Sequence, residues 1–252
     1  MKHKELKDRV VLISGATGGI GKALSTLLAE RGCNLFLCGR KEEQLTEICK
    51  TLSNKDVRCF SKTCDVANEK EVEKTVEKAY KIYGKVDIAI LTAGILMKNP
   101  LEKFSSKIIK ESMMINFFGN IYFFEHLVPH MIKANSGTIA VVSTLADQRG
   151  YAGWSAYQSS KAALSIASEC LRLEAKKHNI EVITIKPGNV STPMIQNQKG
   201  MGIVSAEKAA TIILQGIEQG REIISFPLHQ VIPVRISDKL PAKFYDKIRS
   251  LF

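Results

Sequence analysis

A tyrosine and a lysine stand four residues apart in the segment AYQSSK, as Tyr157 and Lys161. Side chains at positions i and i+4 of a helix lie on the same face. A nearby ammonium favours the phenolate form of tyrosine and so lowers a pKa that is about 10 in water. A tyrosine tuned in this way can donate a proton to an oxygen atom or remove one from it. The pair therefore predicts a site of proton transfer.

Two adjacent hydroxyl groups, Ser143 and Thr144, precede this pair at the end of an apolar run. A hydroxyl can orient an oxygen atom of a ligand because it both donates and accepts hydrogen bonds. Successive residues of a strand face opposite sides, so we expect only one of the two hydroxyls to reach the site. The alternation alone leaves both candidates open.

Four glycines, Gly15, Gly18, Gly19 and Gly21, lie in the segment VVLISGATGGIGKAL between an apolar run and a helical pattern. The bare backbone of such a turn lets a diphosphate approach the helix N-terminus, where free N–H groups and the helix dipole favour negative charge. Glycines occur in many turns, but the preceding strand and the following amphipathic helix make this signal more specific. We therefore expect a nucleotide diphosphate to bind at this loop.

Short apolar runs alternate with segments of helical period along the chain of 252 residues. This alternation is typical of an α/β fold with a parallel sheet covered by helices on both faces, and the length fits a single domain. The long irregular segment PGNVSTPMIQNQKGMGIVSAEK is interpreted as a lid or binding element. The predicted strands are Val10–Ser14, Asn34–Cys38, Val57–Thr63, Val86–Leu91, Gly137–Ser143, Ile180–Lys186 and Glu222–Ser225.

Composition and charge restrict the classes of function. No stretch reaches the roughly 18 apolar residues that span a bilayer, and the apolar run after the basic start favours a first strand over a signal peptide. The six cysteines show no CxxC spacing and no Cys/His set has metal-ligand intervals, so we expect reduced cysteines, a cytoplasmic protein and no metal site. The formal charge of +11 is dispersed without an arginine-rich block, which disfavours nucleic acid as a partner.

Three motifs in this order, SGATGGIG, YQSSK and IKPGNVSTP, resemble the short-chain dehydrogenase/reductase family. The resemblance extends from about Lys7 to about Ser225. It implies a single doubly wound Rossmann domain with a central seven-stranded parallel sheet and helices on both faces, in agreement with the strands predicted above. It also implies reversible hydride transfer between a nicotinamide cofactor and a carbonyl or alcohol. We expect residues 1–252 to form this one domain, with about 226–252 as a C-terminal amphipathic extension.

The end of the second predicted strand, LCGRKEE, favours NADP(H) over NAD(H) as the cofactor. An enzyme that prefers NAD usually places an acidic residue there to hold the ribose 2′-hydroxyl, whereas this chain has Gly39 followed by Arg40 and Lys41. A guanidinium can make charge-assisted hydrogen bonds to a 2′-phosphate. The alternative, a solvated first turn of a helix, applies better to Lys41 than to Arg40.

The resemblance implies further cofactor contacts at positions that match the family's motifs. Asp65 in CDVAN matches an aspartate that contacts adenine, and the turn after the sixth predicted strand matches one that packs on the nicotinamide. The run LTAG departs from the family's Asn-Asn-Ala-Gly, because Leu91 and Thr92 replace the asparagines, so we expect some sheet contacts near the cofactor to differ. The implied cofactor-binding residues are Gly15, Thr17, Gly18, Gly19, Ile20, Gly21, Arg40, Asp65, Val66, Ala93, Gly94, Tyr157, Lys161, Pro187, Gly188, Val190 and Thr192.

The resemblance also implies four catalytic residues. Tyr157 is the general acid/base and Lys161 is its electrostatic partner. Asn116 matches the family asparagine that distorts a helix and holds a water linking the lysine to solvent; the alternative is an ordinary polar residue inside a helix. The family's serine-to-tyrosine interval falls on Thr144 and leaves Ser143 one position early, so this chain departs from the family serine.

The family geometry implies a roomy and largely apolar substrate pocket, which suggests a bulky or apolar carbonyl or alcohol as the small-molecule substrate. Large apolar side chains at these positions could equally serve a dimer contact or the core. The residues placed around the reacting carbon are Leu96, Gln148, Tyr151, Trp154, Met194 and the loop to about Val204.

The tail PVRISDKLPAKFYDKIRSLF lies beyond the resemblance and combines an apolar face with a basic one. Such a pattern can lie on an anionic membrane as a peripheral contact. The alternative is a terminal helix packed on its own body or on a partner subunit. The apolar positions are Leu240, Phe244, Ile248 and Leu251, and the basic positions are Lys239, Lys243, Lys247 and Arg249.

Two classes of function remain. The first is an NADP(H)-dependent oxidoreductase that interconverts a carbonyl and an alcohol, expected as a homodimer or homotetramer in the cytoplasm. Within this class the alternative is an alcohol or sterol dehydrogenase working in the oxidative direction, since the residues do not set the direction. The second class is a non-catalytic regulator that binds NADP(H). Retention of both Tyr157 and Lys161 favours the enzyme.

Overall fold

Strand β1 (Val10–Ser14) consists of five buried residues and lies in the middle of the sheet. The computed structural model describes residues 5–53, 56–195 and 202–249. β1 pairs in parallel with β2 (Asn34–Gly39) on one side and with β4 (Ile88–Leu91) on the other. A strand that is apolar throughout is typical of a sheet covered on both faces, so the sequence of β1 itself accounts for its central position.

The other strands and the helices follow in chain order. The remaining strands are β3 (Cys59–Thr63), β5 (Gly137–Val142), β6 (Ile180–Pro187), β7 (Val190–Ser191), β8 (Val204–Ser205) and β9 (Ile223–Phe226). The helices are α1 (Gly19–Glu30), α2 (Glu42–Leu52), α3 (Glu69–Tyr83), α4 (Ser106–Met113), α5 (Gly119–Ala134), α6 (Ser155–Ala175), α7 (Ala206–Glu218), α8 (Leu228–Asp238) and α9 (Ala242–Arg249). Short 3-10 turns lie at Leu101–Lys103, Lys176–His178 and Pro193–Ile195, and a π-helical turn at Met114–Phe118 joins α4 to α5.

Within the described residues the main sheet has seven parallel strands in the order β3-β2-β1-β4-β5-β6-β9. The chain winds outward in one direction from β1 to β3 and then returns to start in the other direction at β4. Loops from the carboxyl ends of β1 and β4 therefore separate, and this switch point is where open α/β sheets bind ligands. The predicted doubly wound Rossmann fold with a seven-stranded parallel sheet is confirmed.

Two hydrophobic layers cover the two faces of the sheet. Along β1, Val11 and Ile13 belong to the layer packed under α1, α2 and α7, whereas Leu12 belongs to the layer packed under α3, α5 and α6. Alternate residues of a strand point to opposite faces, so every second residue of one apolar run contributes to each layer. The helices on both faces hold the carboxyl edge of the sheet rigidly in place.

Three strands begin later than the sequence predicts, β9 by one residue, at Ile223, and β3 and β4 by two. β3 begins at Cys59 where Val57 was predicted, and β4 begins at Ile88 where Val86 was predicted. Both valines are buried just before their strands begin. Their hydrophobicity therefore indicated burial, but not pairing with a neighbouring strand. Inside the segment predicted to be irregular, β7 and β8 form a short parallel pair that joins Val190 to Val204.

A disulfide joins Cys49 of α2 to Cys59 of β3, where the Cα atoms are 5.0 Å apart. The prediction that all six cysteines are reduced is therefore wrong for this pair. The two cysteines are ten residues apart in sequence and meet because α2 packs against β3, which spacing motifs do not reveal. The predicted cytoplasmic location stays a prediction, and this disulfide gives it no support.

The C-terminal helices pack on the body of the domain. Val231 of α8 and Tyr245 of α9 are buried, the Tyr245 hydroxyl donates to the Gly150 carbonyl over 2.9 Å, and the Arg149 guanidinium lies 4.2 Å from the centre of the Tyr245 ring. The packed side of α9 is thus the one that carries Tyr245, while Phe244 from the predicted apolar face is exposed. Leu251 and the side chains of Ile248 and Arg249 lie outside the described part of the structure.

Of the helices in the described ranges, none combines the length and the apolar composition needed to cross a membrane.

Gly21 offers a test of how tightly the glycine loop packs on the sheet. A Cβ at Gly21 would overlap the Gly15 carbonyl oxygen and lie 2.9 Å from Thr92 Oγ1. We expect Gly21→Ala to lower the free energy of unfolding by about 1–3 kcal/mol in urea, as overpacking does.

Gly150→Ala is the matched control, because a Cβ there meets no atom within 4 Å. Both substitutions change the unfolded chain in the same way, so their difference isolates the steric overlap. Equal stability of the two variants would contradict the packing described here.

Candidate active site

A cavity of about 830 Å³ lies at the carboxyl ends of the sheet strands. It is lined by the glycine loop, the ends of β2 and β4, the residues after β5, the start of α6, the turn after β6, and α8. Every residue predicted to bind the cofactor lines this cavity, and so do three of the four predicted catalytic residues: Tyr157, Lys161 and Thr144. The topological switch point therefore holds the site that the sequence motifs indicated.

The glycine loop leaves backbone exposed to the cavity at the start of α1. Gly15 has a φ of +68°, a conformation that side chains disfavour, and its carbonyl accepts a hydrogen bond from Gly18 N over 2.9 Å. A Cβ at Gly19 would lie 2.7 Å from Thr192 Cγ2, so the loop and the turn after β6 approach each other as closely as glycine allows. This cradle fits the diphosphate of a dinucleotide.

Thr92 explains how the chain does without the family's second asparagine. Its hydroxyl donates to the carbonyl oxygen of Ser14 over 2.7 Å and so ties the end of β4 to the end of β1. In place of the asparagine contact, this chain therefore has a hydrogen bond from the Thr92 hydroxyl to the backbone, directly beside the glycine loop. Ala93 and Gly94 follow it and line the cavity.

Arg40 and Lys41 are exposed at the cavity edge beyond β2, and neither forms an ion pair with another residue in the described ranges. The carboxylate of Asp65 accepts a hydrogen bond from Ala67 N over 3.0 Å and is thereby turned onto its own loop. Val66 is buried against Gly119. At this end of the cavity the cations of Arg40 and Lys41 are therefore exposed, whereas the carboxylate of Asp65 accepts a hydrogen bond from its own loop.

Lys161 is a buried ammonium at the floor of the cavity. Its Nζ donates to the carbonyl oxygen of Val142, the last residue of β5, over 2.7 Å. Burial lowers the pKa of Lys161 to about 8, because the surrounding protein disfavours the charged form. A Cβ at Gly94 would lie 3.3 Å from this nitrogen, so the glycine provides the space for it.

The pKa of Tyr157 moves in the direction opposite to the one predicted from its spacing to Lys161. Burial raises it to about 12, a hydrogen bond with Thr144 lowers it, and the negative charge of Asp147 raises it. The ammonium of Lys161 is engaged with Val142, and in the protein by itself desolvation of the phenol dominates. At neutral pH Tyr157 is therefore a protonated acid.

The two adjacent hydroxyls lie beyond the end of β5 and both line the cavity, contrary to the expectation from strand alternation, but they have different partners. Thr144 lies at the cavity, where its hydroxyl lowers the pKa of Tyr157 and its oxygen accepts a hydrogen bond from Ala146 N over 3.3 Å. Ser143 lines the cavity as well, but its hydroxyl donates to the carbonyl oxygen of Lys161 over 3.1 Å and lies 2.7 Å from Ser165 Oγ. Thr144 is thus the hydroxyl beside the phenol, and Ser143 supports the backbone of α6.

Sequence reasoning missed a buried ion pair beneath these residues. The side chain of Asp147 is 2% exposed and lies 2.8 Å from Lys186 Nζ. Ser165 Oγ also donates to the same carboxylate oxygen. The sequence offers no signal for this pair, because Asp147 follows β5 and Lys186 belongs to β6, and only the sheet brings them together.

Asn116 is buried within the π-helical turn between α4 and α5, which confirms that a helix is distorted at this residue. Its side chain accepts from Ile95 N over 2.7 Å and donates to Ile95 O over 2.9 Å and to Ser160 Oγ over 3.0 Å. A Cβ at Gly94 would lie 3.0 Å from its Oδ1. Asn116 does not itself line the cavity; it holds the loop after β4 against α6.

The apolar end of the cavity agrees with the prediction at four side chains and differs at one. Leu96, Tyr151, Trp154 and Met194 line it, whereas the exposed Gln148 does not. Gln158 lines it instead, and its amide is used to bind the backbone of Tyr151, Ala146 and Arg149. Part of the predicted loop to Val204, residues 196–201, lies outside the described residues.

Sequence reasoning also missed the contribution of α8. His229, Gln230, Pro233 and Val234 line the cavity, and Gln230 accepts Asn189 N over 3.0 Å and donates to Gly202 O over 2.9 Å. A helix that begins directly after a parallel strand starts at the carboxyl edge of the sheet. The position of the segment SFPLHQV, directly after the last predicted strand, could therefore have indicated that this helix reaches the cavity.

Comparison with known proteins decides the family. A family model described as short chain dehydrogenase matches residues 9–201. This chain belongs to the short-chain dehydrogenase family. An uncharacterised oxidoreductase of Listeria monocytogenes is 32% identical over 233 residues, which cover 86% of this chain and 94% of that protein. This short-chain dehydrogenase is therefore an oxidoreductase, and interconversion of a carbonyl and an alcohol is the general chemistry of its family.

Solved structures show the same fold at low sequence identity. A short-chain dehydrogenase/reductase from Burkholderia phymatum in complex with NAD has a TM-score of 0.86 at 20% identity, covering 93% of this chain and 94% of that one. An alcohol dehydrogenase from Thermococcus sibiricus complexed with 5-hydroxy-NADP has a TM-score of 0.79 at 22% identity, covering 87% and 96%. Proteins with this fold are thus found in complex with NAD in one case and with 5-hydroxy-NADP in the other.

The buried pair of Asp147 and Lys186 gives a prediction about the stability of this short-chain dehydrogenase. Lys186→Met leaves the carboxylate buried without its cation, so we expect the free energy of unfolding at neutral pH to fall by about 3–5 kcal/mol in urea.

The double variant Asp147→Asn/Lys186→Met removes both charges and should recover most of that loss, because neither partner is then left unpaired. If Lys186→Met unfolds at the same urea concentration as the unmodified protein, the pair does not have the role described.

Proposed function

We propose that this protein is an NADP(H)-dependent oxidoreductase that interconverts a carbonyl and an alcohol, with Tyr157 as the general acid/base. The observation that carries the proposal is that the Tyr157 and Thr144 hydroxyls interact in a cavity that also contains the glycine cradle. The nicotinamide cofactor, when bound, supplies or accepts the hydride. The residues of this chain bind the two reactants and move the proton.

Proton transfer in the reductive direction starts from the phenol of Tyr157. With a pKa raised to about 12, Tyr157 carries its proton at all physiological pH values and can give it to a carbonyl oxygen as negative charge develops there. The Thr144 hydroxyl, which lines the cavity together with this phenol, orients the substrate oxygen between the two groups. In the oxidative direction Tyr157 must first lose its own proton, and its phenolate, favoured by the nearby charge of Lys161, then accepts the proton of the alcohol while Thr144 orients the alcohol oxygen.

Lys161 contributes positive charge to this step. With a pKa lowered to about 8, it is mainly protonated at neutral pH and becomes neutral at more alkaline pH. A buried ammonium stabilises negative charge on a nearby oxygen more strongly than an exposed one would, because little water screens it. Asn116 supports this arrangement as a positioning residue through Ile95 and Ser160.

Preference for NADP(H) rests on the charge beyond β2. Arg40 lies at the cavity edge, where an NAD-preferring enzyme usually has an acid, and its guanidinium can bind a 2′-phosphate. Asp65, the acidic residue predicted to contact adenine, already binds the backbone of its own loop. A phosphate at Arg40 therefore meets a guanidinium at the cavity edge, and the acidic residues that follow it, Glu42 and Glu43, belong to the first turn of α2 and do not line the cavity.

The shape of the cavity favours a bulky or apolar substrate. Leu96, Trp154 and Met194 surround its outer part, and Gln158, the polar side chain among them, is used by the backbone. We also propose a homo-oligomer. Ile166 and Leu173 of α6 lie seven residues apart on one helix face, and each is 63% exposed, which is the pattern of a helix that packs on a second subunit.

Removal of either hydroxyl tests the proton-transfer site. We expect Tyr157→Phe to lower turnover with NADPH by about 100-fold or more across a panel of ketones and aldehydes, because the general acid is lost. Thr144→Val should lower turnover by about 100-fold as well, since the oxygen loses its second donor.

Thr144→Ser is the matched control and should retain turnover, because it keeps the hydroxyl. NADPH binding by Tyr157→Phe, measured by fluorescence, should remain. Unchanged turnover in Tyr157→Phe would overturn the mechanism, and absence of turnover in the unmodified protein with intact NADPH binding would favour the non-catalytic regulator.

Arg40→Ala tests the cofactor preference. Loss of a charge-assisted contact to phosphate is worth about 1.5–3 kcal/mol, so we expect NADPH to bind roughly 10- to 100-fold more weakly while NADH binding is nearly unchanged. Titration calorimetry with both cofactors measures this. Lys41→Ala is the matched control and should have a smaller effect on NADPH; equal weakening of both cofactors by Arg40→Ala would contradict the phosphate role.

A further inference from the structure

Helix α8 exposes an apolar stripe that the proposed chemistry does not use. Leu228, Ile232 and Ile236 follow one another at intervals of four residues, so they lie on one helix face, and they are 71%, 51% and 61% exposed. The buried residue of the same helix is Val231, which faces the body of the domain. We call these three side chains the α8 stripe. A contiguous row of large exposed apolar groups marks a surface that interacts with a protein or a membrane.

Exposed basic side chains accompany the α8 stripe along the chain. Arg235 lies beside it on α8, and Lys239 and Lys243 follow at the junction with α9, all of them exposed. Phe244, 64% exposed, adds a further apolar group at the start of α9. The nearby acids are Asp238, which is partly buried, and Asp246, so positive charge is in excess here as it is over the whole chain at +11.

The α8 stripe lies next to the entrance of the active-site cavity. His229 and Pro233 are exposed and also line the cavity, and each directly follows a residue of the stripe, Leu228 and Ile232. At 100° per residue, these two positions lie on the helix side adjacent to the stripe. Anything that covers the stripe therefore comes to the rim of the cavity.

We propose that the α8 stripe and its basic neighbours dock this protein onto an anionic lipid surface, so that apolar carbonyl or alcohol substrates dissolved in the membrane enter the cavity directly. The exposed apolar side chains can enter the acyl-chain region of such a membrane, and the neighbouring cations can contact its anionic headgroups. The part of this inference that concerns substrate entry rests on the proposed function. The docking itself does not.

Charge distinguishes a lipid surface from a second copy of the chain as the occupant. A two-fold contact through this face would bring two equally basic surfaces together, and opposition of like charges disfavours such an interface. An anionic lipid surface instead neutralises Arg235, Lys239 and Lys243 while it covers the apolar side chains. The same reasoning makes docking dependent on ionic strength.

Sedimentation of the full-length protein with vesicles tests the docking. The probes are vesicles of phosphatidylcholine alone and of phosphatidylcholine with phosphatidylserine in equal parts. We expect binding to the mixed vesicles only, weakened by salt, and at least a tenfold lower partition coefficient for Ile232→Ser/Ile236→Ser. Ile132→Ser is the matched control and should bind like the unmodified protein, because Ile132 is a 40% exposed apolar residue in the last turn of α5, ahead of the amino end of β5.

Two further measurements accompany the sedimentation. Thermal unfolding of each variant shows that the fold is retained, and analytical ultracentrifugation reports the oligomeric state without vesicles. Equal partitioning of the unmodified protein and the stripe variant, or no binding to the mixed vesicles, overturns the docking. Dissociation of an oligomer by the stripe substitutions, without vesicle binding, assigns the stripe to a second copy and likewise overturns it.

Activity assays separate this inference from the proposed function. With NADPH, the stripe variant should reduce a short water-soluble ketone as fast as the unmodified protein, but a long-chain aldehyde held in mixed vesicles at least tenfold more slowly. Equal rates on the vesicle-held aldehyde overturn direct entry from the membrane. If neither protein reduces either compound, the proposed reductase function fails, while the sedimentation result still decides the docking.

Discussion

The buried ammonium of Lys161 is the constraint on which the rest of the site depends. A cation inside a protein needs hydrogen-bond partners and space, because little water is there to solvate it. Val142 at the end of β5 provides the acceptor, and Gly94, which has no Cβ, provides the space. The sheet sets the position of Val142, and the loop after β4 sets that of Gly94. The location of the cation is thus fixed by the parallel sheet at its switch point.

The surrounding side chains can be understood as supports for that cation and for the phenol one helical turn before it. Ser143 binds the carbonyl oxygen of Lys161 from below, and Asn116 in its π-helical turn holds the loop after β4 against α6. The Ser143 hydroxyl lines the cavity but donates to the backbone of α6, whereas Thr144 is the hydroxyl that interacts with Tyr157. The buried charge of Asp147, balanced by Lys186, lies close enough to raise the pKa of the phenol further.

Local patterns predicted most of the fold and the cofactor side of the site, because a glycine turn, an i, i+4 pair and apolar strands are all properties of neighbouring residues. They could not predict features that depend on distant segments. The pair Asp147–Lys186 forms across two strands, the disulfide Cys49–Cys59 forms across a turn, and α8 reaches the cavity only after the sheet is complete. The pKa of Tyr157 was predicted in the wrong direction because spacing shows a neighbouring charge but not the burial that outweighs it.

The titration of Lys161 tests the central claim most directly. In protein labelled with ¹³C at the lysine Cε, the NMR signal of Lys161 can be assigned as the one missing from Lys161→Met. Burial of the ammonium predicts a midpoint of about pH 8, since the folded protein disfavours the charged form. A midpoint near the ordinary lysine value of 10.5 would show that the ammonium is solvated and would contradict the account.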